Sequence, residues 1–116
     1  MATIRITNLR LRTIIGIHGW ERKHKQDIVI NVTIKFDATK ANESDNIKDT
    51  LDYKKITKKI IKKVEASKFF LLEKLTNMVL QIVMEYPKAN KATVRIDKPL
   101  ALRFADSVSM ELSANR

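Results

Sequence analysis

The amino-acid sequence predicts an α+β fold in which two helices cover one face of a four-stranded antiparallel sheet. Two observations lead to this prediction. Apolar and polar residues alternate in four segments, which is the pattern of strands buried on one side only. Between the second and third of these segments, apolar residues recur at helical spacing in two longer stretches. The predicted order is strand, strand, helix, helix, strand, strand, and each strand has an apolar face for the helices to cover.

The composition is that of a small globular protein. The chain has 116 residues, of which 44% are hydrophobic and 31% charged, so we expect residues 1–116 to form a single domain with one core. The net charge of +10 favours anionic partners such as nucleic acid, acidic membranes or phosphorylated metabolites. The absence of cysteine excludes disulfides, cysteine-ligated zinc and a cysteine nucleophile. No apolar run could span a membrane and no signal-peptide pattern is present, so we expect a cytoplasmic protein without membrane contact.

The first two predicted strands flank a long polar connection. Alternating residues run from about Thr3 to Ile15, and Asn8 interrupts the alternation, which indicates one bent or bulged strand. Gly16 ends this strand, and residues 16–25 form the connection. The second strand has the clearest period of two, because apolar side chains occupy every other position: Ile28, Ile30, Val32, Ile34 and Phe36.

The first predicted helix starts near Asp52, after a predicted loop over residues 41–46. Asp49, Thr50 and Asp52 are all suitable residues to cap its N-terminus. Its apolar side consists of Ile56, Ile60, Ile61 and Val64. Its opposite side carries six lysines: Lys54, Lys55, Lys58, Lys59, Lys62 and Lys63.

The lysine side of this helix has two interpretations. It is the solvated face of an amphipathic helix, or it contacts a phosphate backbone, in which case the protein is a basic nucleic-acid-binding module. We favour the solvated face, because such helices are common on soluble domains and no aromatic residues interleave with the lysines to stack on bases. The nucleic-acid module is kept as the alternative from a different functional class.

The second predicted helix runs from about Phe70 to Glu85. It stops at Tyr86-Pro87, because a residue that precedes proline disfavours the helical conformation. Two strands follow. The third carries Ala92, Val94 and Ile96 and closes at Lys98-Pro99, and the fourth carries Val108, Met110 and Leu112.

Several kinds of chemistry are excluded by what the sequence lacks. Two histidines, His18 and His24, cannot build a three-histidine zinc site, and no HExxH spacing occurs. The glycine-rich motifs that bind nucleotide phosphates are missing, and serine and histidine form no recognisable nucleophile arrangement. We therefore expect neither a metal nor a cofactor.

Three ionisable residues stand at the ends of predicted elements. Glu21 lies in the polar connection, Glu73 in the first turn of the second helix, and Lys98 at the end of the third strand. Taken singly, each has an ordinary explanation: an exposed loop carboxylate, a partner of the helix dipole, and a lysine that protects a strand end. The pattern alone assigns them no function.

Four short motifs, taken together, resemble those of the dihydroneopterin aldolase family. The first is Gly-Ile-His-Gly-Trp-Glu over Gly16–Glu21, followed five residues later by Gln26. The others are Asp-x-Leu-x-Tyr over Asp49–Tyr53, Leu-Leu-Glu at the start of Leu71–Leu75, and Lys98-Pro99. All four occur in the family's order, and the resemblance covers nearly the whole chain.

Within this family the chain is most similar to the sister group of dihydroneopterin triphosphate 2′-epimerases, through residues 8–13, 26–34 and 101–110. This resemblance implies an enzyme that inverts C2′ of 7,8-dihydroneopterin triphosphate to give dihydromonapterin triphosphate by retro-aldol and aldol steps. Trp20-Glu21 is an aldolase-like feature. The alternative is therefore a 7,8-dihydroneopterin aldolase of folate biosynthesis, which yields 6-hydroxymethyl-7,8-dihydropterin and glycolaldehyde.

The resemblance also implies the tunnelling fold and its assembly. In that fold, four subunits join their sheets into one barrel, and two such rings stack into a homo-octamer. The active sites lie at the boundaries between adjacent subunits, which accounts for sheet edges left open in one chain.

The resemblance implies a role for each matching residue. Glu73 would hold the pterin by accepting two hydrogen bonds from the 2-amino and ring N–H groups, and the main chain near Leu72 would add contacts. Lys98 and Glu21 would flank the reacting side chain as the acid–base set. No lysine Schiff base is needed, because the ring imine N5=C6 can accept the electrons released when C1′–C2′ breaks.

The remaining site residues come from a second subunit and from the mouth of the site. Leu51, Asp52 and Tyr53 would reach in from the neighbouring subunit, with Tyr53 beside the side-chain hydroxyls as a third catalytic residue. A triphosphate needs cations near the mouth, and our own inference assigns this role to Arg22 and Arg103, with Lys23 and Lys25 as further candidates.

Overall fold

The computed structural model describes residues 1–116 and contains one five-stranded sheet with the strand order β3-β1-β2-β4-β5. The strands are β1 (Ala2–Ile15), β2 (Gln26–Phe36), β3 (Lys68–Phe69), β4 (Lys91–Pro99) and β5 (Ser107–Asn115). The predicted α+β class is confirmed, and the four predicted strands pair antiparallel. The prediction of a four-stranded, wholly antiparallel sheet needs one correction. Strand β3 adds a parallel pair with β1 and is too short to produce a periodic signal.

Strand β1 has the bulge that the interrupted alternation predicts. Its register against β2 shifts between Ile6 and Leu9, and Asn8 adopts a left-handed φ of 54°. Asparagine tolerates this conformation better than most residues. The backbone N–H of Asn8 donates to Oδ1 of Asn31 at 2.9 Å, so the bulge is tied to the neighbouring strand.

The helices are α1 (Thr39–Ser44), α2 (Tyr53–Glu65) and α3 (Leu72–Met84). The predicted loop over 41–46 was wrong in part, because α1 occupies most of it and ends at Asp45 with a left-handed φ of 57°. Of the three residues predicted to cap α2, Asp52 is the N-cap, and its side chain accepts a hydrogen bond from the N–H of Lys55. Helix α3 begins two residues later than predicted, because the backbone of its cap residue Leu71 is extended. No helix has the length and apolar character that crossing a membrane requires.

The hydrophobic core lies between one face of the sheet and helices α2 and α3. It consists of 19 buried residues, among them the five alternating apolar side chains of β2. Helix α2 contributes Ile56, Ile60 and Val64, and α3 contributes Leu75, Val79 and Val83. The opposite face of the sheet is polar and uncovered within one chain, with Asn31, Thr33, Thr93 and Arg95 along it.

Three chain segments meet at one end of this sheet. Strand β1 ends beside β3, and the N–H of Gly16 donates to the carbonyl of Phe69 at 3.2 Å. Strand β2 starts at the same end and pairs there with the last residues of β4, since Val29 is opposite Asp97. The turn that follows β1, the start of α3 and the end of β4 are therefore neighbours, although they are far apart in the sequence.

Candidate active site

The centre of the candidate site is an ion pair between Lys98 and Glu21. The Nζ atom of Lys98 lies 2.6 Å from Oε2 of Glu21, and the two side chains are only 12% and 7% exposed. Lys98 stands near the end of β4, and Glu21 stands in the short 3-10 turn Gly19–Arg22 that follows β1. The structure thus brings together the two residues that the resemblance assigns to acid–base chemistry. Their catalytic role stays a prediction.

The carboxylate of Glu21 accepts hydrogen bonds from two further groups. Nε2 of Gln26 donates to Oε2 at 3.1 Å, and the N–H of His18 donates to Oε1 at 3.2 Å. Burial by itself raises the pKa of Glu21, but the hydrogen bonds from Lys98, Gln26 and His18 outweigh it and lower the pKa to about 2. The side chain is therefore a carboxylate at neutral pH, held in a single orientation.

Gln26 is a positioning group to which the sequence pattern assigns no role. Its amide nitrogen also donates to the carbonyl of Ile15 at 2.7 Å, so one side chain links the Glu21 carboxylate to the end of β1. The signal was present in the sequence, because Gln26 follows Glu21 by five residues and belongs to the first of the four motifs.

Gly16 makes room for the Glu21 carboxylate. Its φ of +130° is one that other residues rarely adopt. A Cβ at this position would also overlap the carboxyl group of Glu21. The first glycine of the motif is thus required by the backbone and by the packing at the same point, whereas a Cβ at Gly19 would meet nothing within 4 Å.

Arg22 makes its hydrogen bonds within the protein, and its predicted contact with the triphosphate stays a prediction. Its Nη1 donates to the carbonyls of Gly16 at 3.1 Å and Phe69 at 2.9 Å, and its Nη2 donates to the carbonyl of Lys68 at 2.6 Å. The guanidinium also stacks on the ring of Phe70, 4.0 Å from its centroid. Three of the five guanidinium donors are thus used by main-chain carbonyls, which favours a structural role for Arg22.

Glu73 and Leu72 lie in the first turn of α3, beside the turn that carries Glu21. The cap residue Leu71 is extended, and no side chain caps the helix. The Glu73 side chain is exposed, and the positive end of the helix dipole favours its negative charge. This arrangement leaves a carboxylate and first-turn N–H groups open to a ligand. That the ligand is a pterin ring remains a prediction for both residues.

Leu51, Asp52 and Tyr53 lie at the opposite end of α3 within one chain. Leu51 is buried, Asp52 caps α2 and Tyr53 is half exposed, and this segment borders Tyr86 and Lys88 just beyond the C-terminus of α3. Helix α3 has 13 residues, so roughly 20 Å of helix separates this segment from Glu73. One chain therefore does not bring the predicted site residues together, and their contribution from a neighbouring subunit stays a prediction.

Arg103 is exposed in the turn between β4 and β5. Its guanidinium lies 5.1 Å from the ring centroid of Phe104, and it forms no ion pair. Leu100 and Phe104 both have positive φ values, 60° and 72°, which is a strained arrangement for large side chains. Arg103 thus has free donors directly after the strand that carries Lys98. Its contact with a triphosphate stays a prediction.

The comparison with protein families gives one match over most of the chain. The model described as "FolB: Dihydroneopterin aldolase" matches residues 4–113. Among curated proteins, the chain is 56% identical to the dihydroneopterin triphosphate 2′-epimerase of Escherichia coli (strain K12), over 99% of this chain and 96% of that protein. It is 50% identical to the enzyme of the same name from Pseudomonas aeruginosa, over 100% of this chain and 94% of that protein.

A solved structure with the same fold carries a ligand. The crystal structure of Escherichia coli dihydroneopterin aldolase in complex with neopterin matches with a TM-score of 0.94. The match covers 99% of this chain and 100% of the other, at 26% identity. The identity to the two epimerases is thus much higher than the identity to this aldolase, while the fold is common to this chain and the aldolase.

Proposed function

Because this chain belongs to the dihydroneopterin aldolase family, we propose that it is a dihydroneopterin triphosphate 2′-epimerase. It inverts C2′ of 7,8-dihydroneopterin triphosphate and gives dihydromonapterin triphosphate. All of residues 1–116 serve as one catalytic domain. The charge of the triphosphate confines the substrate to an aqueous compartment, which we propose is the cytoplasm.

The observation that carries this proposal is the identity of 56% and 50% to two 2′-epimerases over nearly the whole chain. The buried pair of Lys98 and Glu21 supports it from the side of chemistry, since an ion pair with little solvent access can exchange a proton with a bound hydroxyl. The net charge of +10 suits a polyanionic substrate.

Recognition of the pterin ring is assigned to the start of α3. The ring's 2-amino and N–H groups form a guanidine-like edge, and the carboxylate of Glu73 can accept two parallel hydrogen bonds from it. The main chain at Leu72 adds contacts, because the first turn of α3 has no side-chain cap. The ring is then held beside the turn that contains Glu21.

The chemical step is a reversible cleavage of the C1′–C2′ bond. A base, which is Lys98 or Glu21 acting directly or through water, removes the proton of the 2′-hydroxyl group. The C1′–C2′ electrons move into the N5=C6 imine, which leaves an enol-type pterin and an aldehyde whose carbonyl carbon was C2′. The imine is the electron sink, so no covalent adduct with Lys98 forms.

The fate of the aldehyde decides the outcome. If the aldehyde rotates and presents the other face of its carbonyl group to C1′, the bond forms again with the configuration at C2′ inverted. The triphosphate is then retained. If C1′ takes up a proton and the aldehyde leaves, the products are those of an aldolase. In our proposal Arg103, Lys23 and Lys25 retain the phosphorylated aldehyde, because cationic side chains bind phosphate groups. All three are exposed: the two lysines follow the turn that carries Glu21, and Arg103 follows the strand that carries Lys98.

The site is completed by assembly. Leu51, Asp52 and Tyr53 are separated from Glu73 by the length of α3 within one chain, and the outer strands β3 and β5 leave the sheet open at both edges. We propose a homo-octamer of two stacked four-subunit rings, in which Tyr53 of one subunit lies beside the side-chain hydroxyls bound by the next.

Product analysis tests the proposed function. The purified protein is incubated separately with 7,8-dihydroneopterin triphosphate and with 7,8-dihydroneopterin. The pterin products are then separated by their configuration at C2′ and by the length of their side chain. We expect dihydromonapterin triphosphate as the main product of the first incubation. Predominant formation of 6-hydroxymethyl-7,8-dihydropterin from both substrates would favour the aldolase, the alternative that the family match and the shared fold support.

A further inference from the structure

The guanidinium group of Arg22 joins two segments that are distant in the sequence. One segment is the turn after β1, through the carbonyl of Gly16, and the other is β3, through the carbonyls of Lys68 and Phe69. Arginine presents five donors in a rigid planar fork, so one side chain can satisfy all three acceptors. A lysine in its place presents a single point of charge and cannot span them.

Strand β3 has little else to hold it in place. It consists of two residues, Lys68 and Phe69, and pairs only with the end of β1. So short a pairing is marginal by itself. The two hydrogen bonds from Arg22 and the stacking of its guanidinium on Phe70 therefore form a large share of the contacts that fix this strand.

The two joined segments carry the two carboxylates of the site. Arg22 follows Glu21 directly, and β3 leads within a few residues into α3, whose first turn carries Glu73. We propose that Arg22 is a positioning residue, which sets the position of the Glu21–Lys98 pair relative to the pterin held at Glu73. This inference rests on the proposed function, since it assumes that a substrate bridges the two carboxylates.

The positioning role predicts a specific kinetic signature. Loss of the bridge lets the turn with Glu21 shift relative to α3, and a displacement of about 1 Å can lower the rate of a reaction by roughly a hundredfold. The carboxylate of Glu73, which holds the pterin ring in our proposal, stays in place on α3. The affinity for the pterin therefore changes little. The phosphate groups take no part in this effect, so substrates with and without the triphosphate are affected equally.

The experiment compares Arg22→Ala, Arg22→Lys and Arg116→Ala with the wild type. Arg116 is the matched control, because it donates to the carbonyls of Met84, Tyr86 and Ala89 at the other end of α3. The values of kcat and KM are measured for 7,8-dihydroneopterin and its triphosphate, and neopterin affinity and thermal stability are measured on the same preparations. Wild-type turnover is measured first, since its absence would refute the proposed function and not the role of Arg22.

We expect Arg22→Ala to lower kcat by roughly 10- to 100-fold for both substrates, with neopterin affinity within about threefold of the wild type. Added guanidinium ion at non-denaturing concentration restores part of that activity, and Arg22→Lys does not recover it. Arg116→Ala keeps its kcat. A loss confined to KM for the triphosphate would return Arg22 to the phosphate site and overturn the proposal. Unchanged kcat in folded Arg22→Lys, or an equal loss of kcat in Arg116→Ala, would also overturn it.

Discussion

Nζ of Lys98 and Oε2 of Glu21 are 2.6 Å apart, although the two residues are 77 positions apart in the chain. Neither residue has another opposite charge within ion-pair distance. Both side chains are almost fully buried, and removing two charges from water is costly unless they satisfy each other. Removing either charge leaves the other buried and unpaired, which is strongly destabilising, and two charges held this close can also pass a proton to a bound substrate.

Lys98→Ala is expected to slow epimerisation and cleavage together, because both reactions pass through the same scission of C1′–C2′. A general acid or base contributes typically ~10²–10⁴ in rate, while neopterin affinity should change much less. Steady-state kinetics and neopterin titration measure the two effects. Lys91→Ala is the control, since Lys91 is an exposed lysine on the same strand. Turnover at the wild-type rate would make Lys98 a structural residue, and a borohydride-trapped adduct on Lys98 would indicate a Schiff-base mechanism.

The free energy of unfolding is expected to fall at acidic pH, because the carboxylate of Glu21 becomes protonated. Its pKa in the folded chain is about 2, below the value of 4.5 for the unfolded chain, because hydrogen bonds from Lys98, Gln26 and His18 outweigh burial. The stabilisation is therefore fully present from about one pH unit above 4.5 and is lost as the pH falls through 4.5 towards 2. Since one pH unit of difference between two pKa values is worth about 1.4 kcal/mol, the folded chain is stabilised by on the order of 3 kcal/mol. Urea denaturation across this range should show that loss in the wild type and not in Glu21→Gln, and parallel curves would refute it.

Gly16→Ala and Gly19→Ala are expected to differ sharply. The first substitution places a methyl group against the Glu21 carboxylate at a φ of +130°, whereas the second meets no atom within 4 Å. Backbone strain of this kind costs on the order of 1–3 kcal/mol, and the displaced carboxylate should also lose activity. Thermal denaturation and kcat of the two variants provide the comparison. Equal behaviour of both would show that the carboxylate does not depend on the space at Gly16.

Mixed assemblies are expected to regain activity that the separate variants lack. If each site takes Lys98 from one subunit and Tyr53 from the next, hybrid oligomers of Lys98→Ala and Tyr53→Ala contain some sites with both native residues. The two variants are mixed, dissociated, reassembled and assayed, and light scattering follows the assembly. A monomer at micromolar concentration, or hybrids without restored turnover, would contradict the shared site.

Much of the fold could be predicted from period alone, because half-buried strands and amphipathic helices each impose a repeat on the sequence. The alternation along β2 and the interruption at Asn8 are of this kind. Strand β3 could not be predicted, since two residues define no period and its pairing depends on Arg22 and Gly16. Helix α1 was missed because its polar residues bury no side chain.

The candidate site depended on resemblance far more than on pattern. An exposed loop carboxylate and a buried one have the same sequence, so nothing local distinguishes Glu21 before its contact with Lys98 is seen. Arg22 shows the converse, because its charge and place beside the site suggest a phosphate contact, whereas three of its donors serve main-chain carbonyls. The direction of a long side chain is decided by tertiary contacts, which composition and spacing do not contain.

The most direct test of the proposed reaction is the position of deuterium after turnover in D₂O. Cleavage and re-addition at C1′–C2′ never break the C2′–H bond, so dihydromonapterin triphosphate formed from unlabelled substrate should carry no deuterium on the carbon atoms of its side chain. Any 6-hydroxymethyl product should carry one deuterium, because C1′ takes up a solvent proton when the aldehyde leaves. Mass spectrometry and NMR of the separated products give both results. Deuterium at C2′ of the epimerised product would mean direct proton exchange at that carbon and would contradict the account.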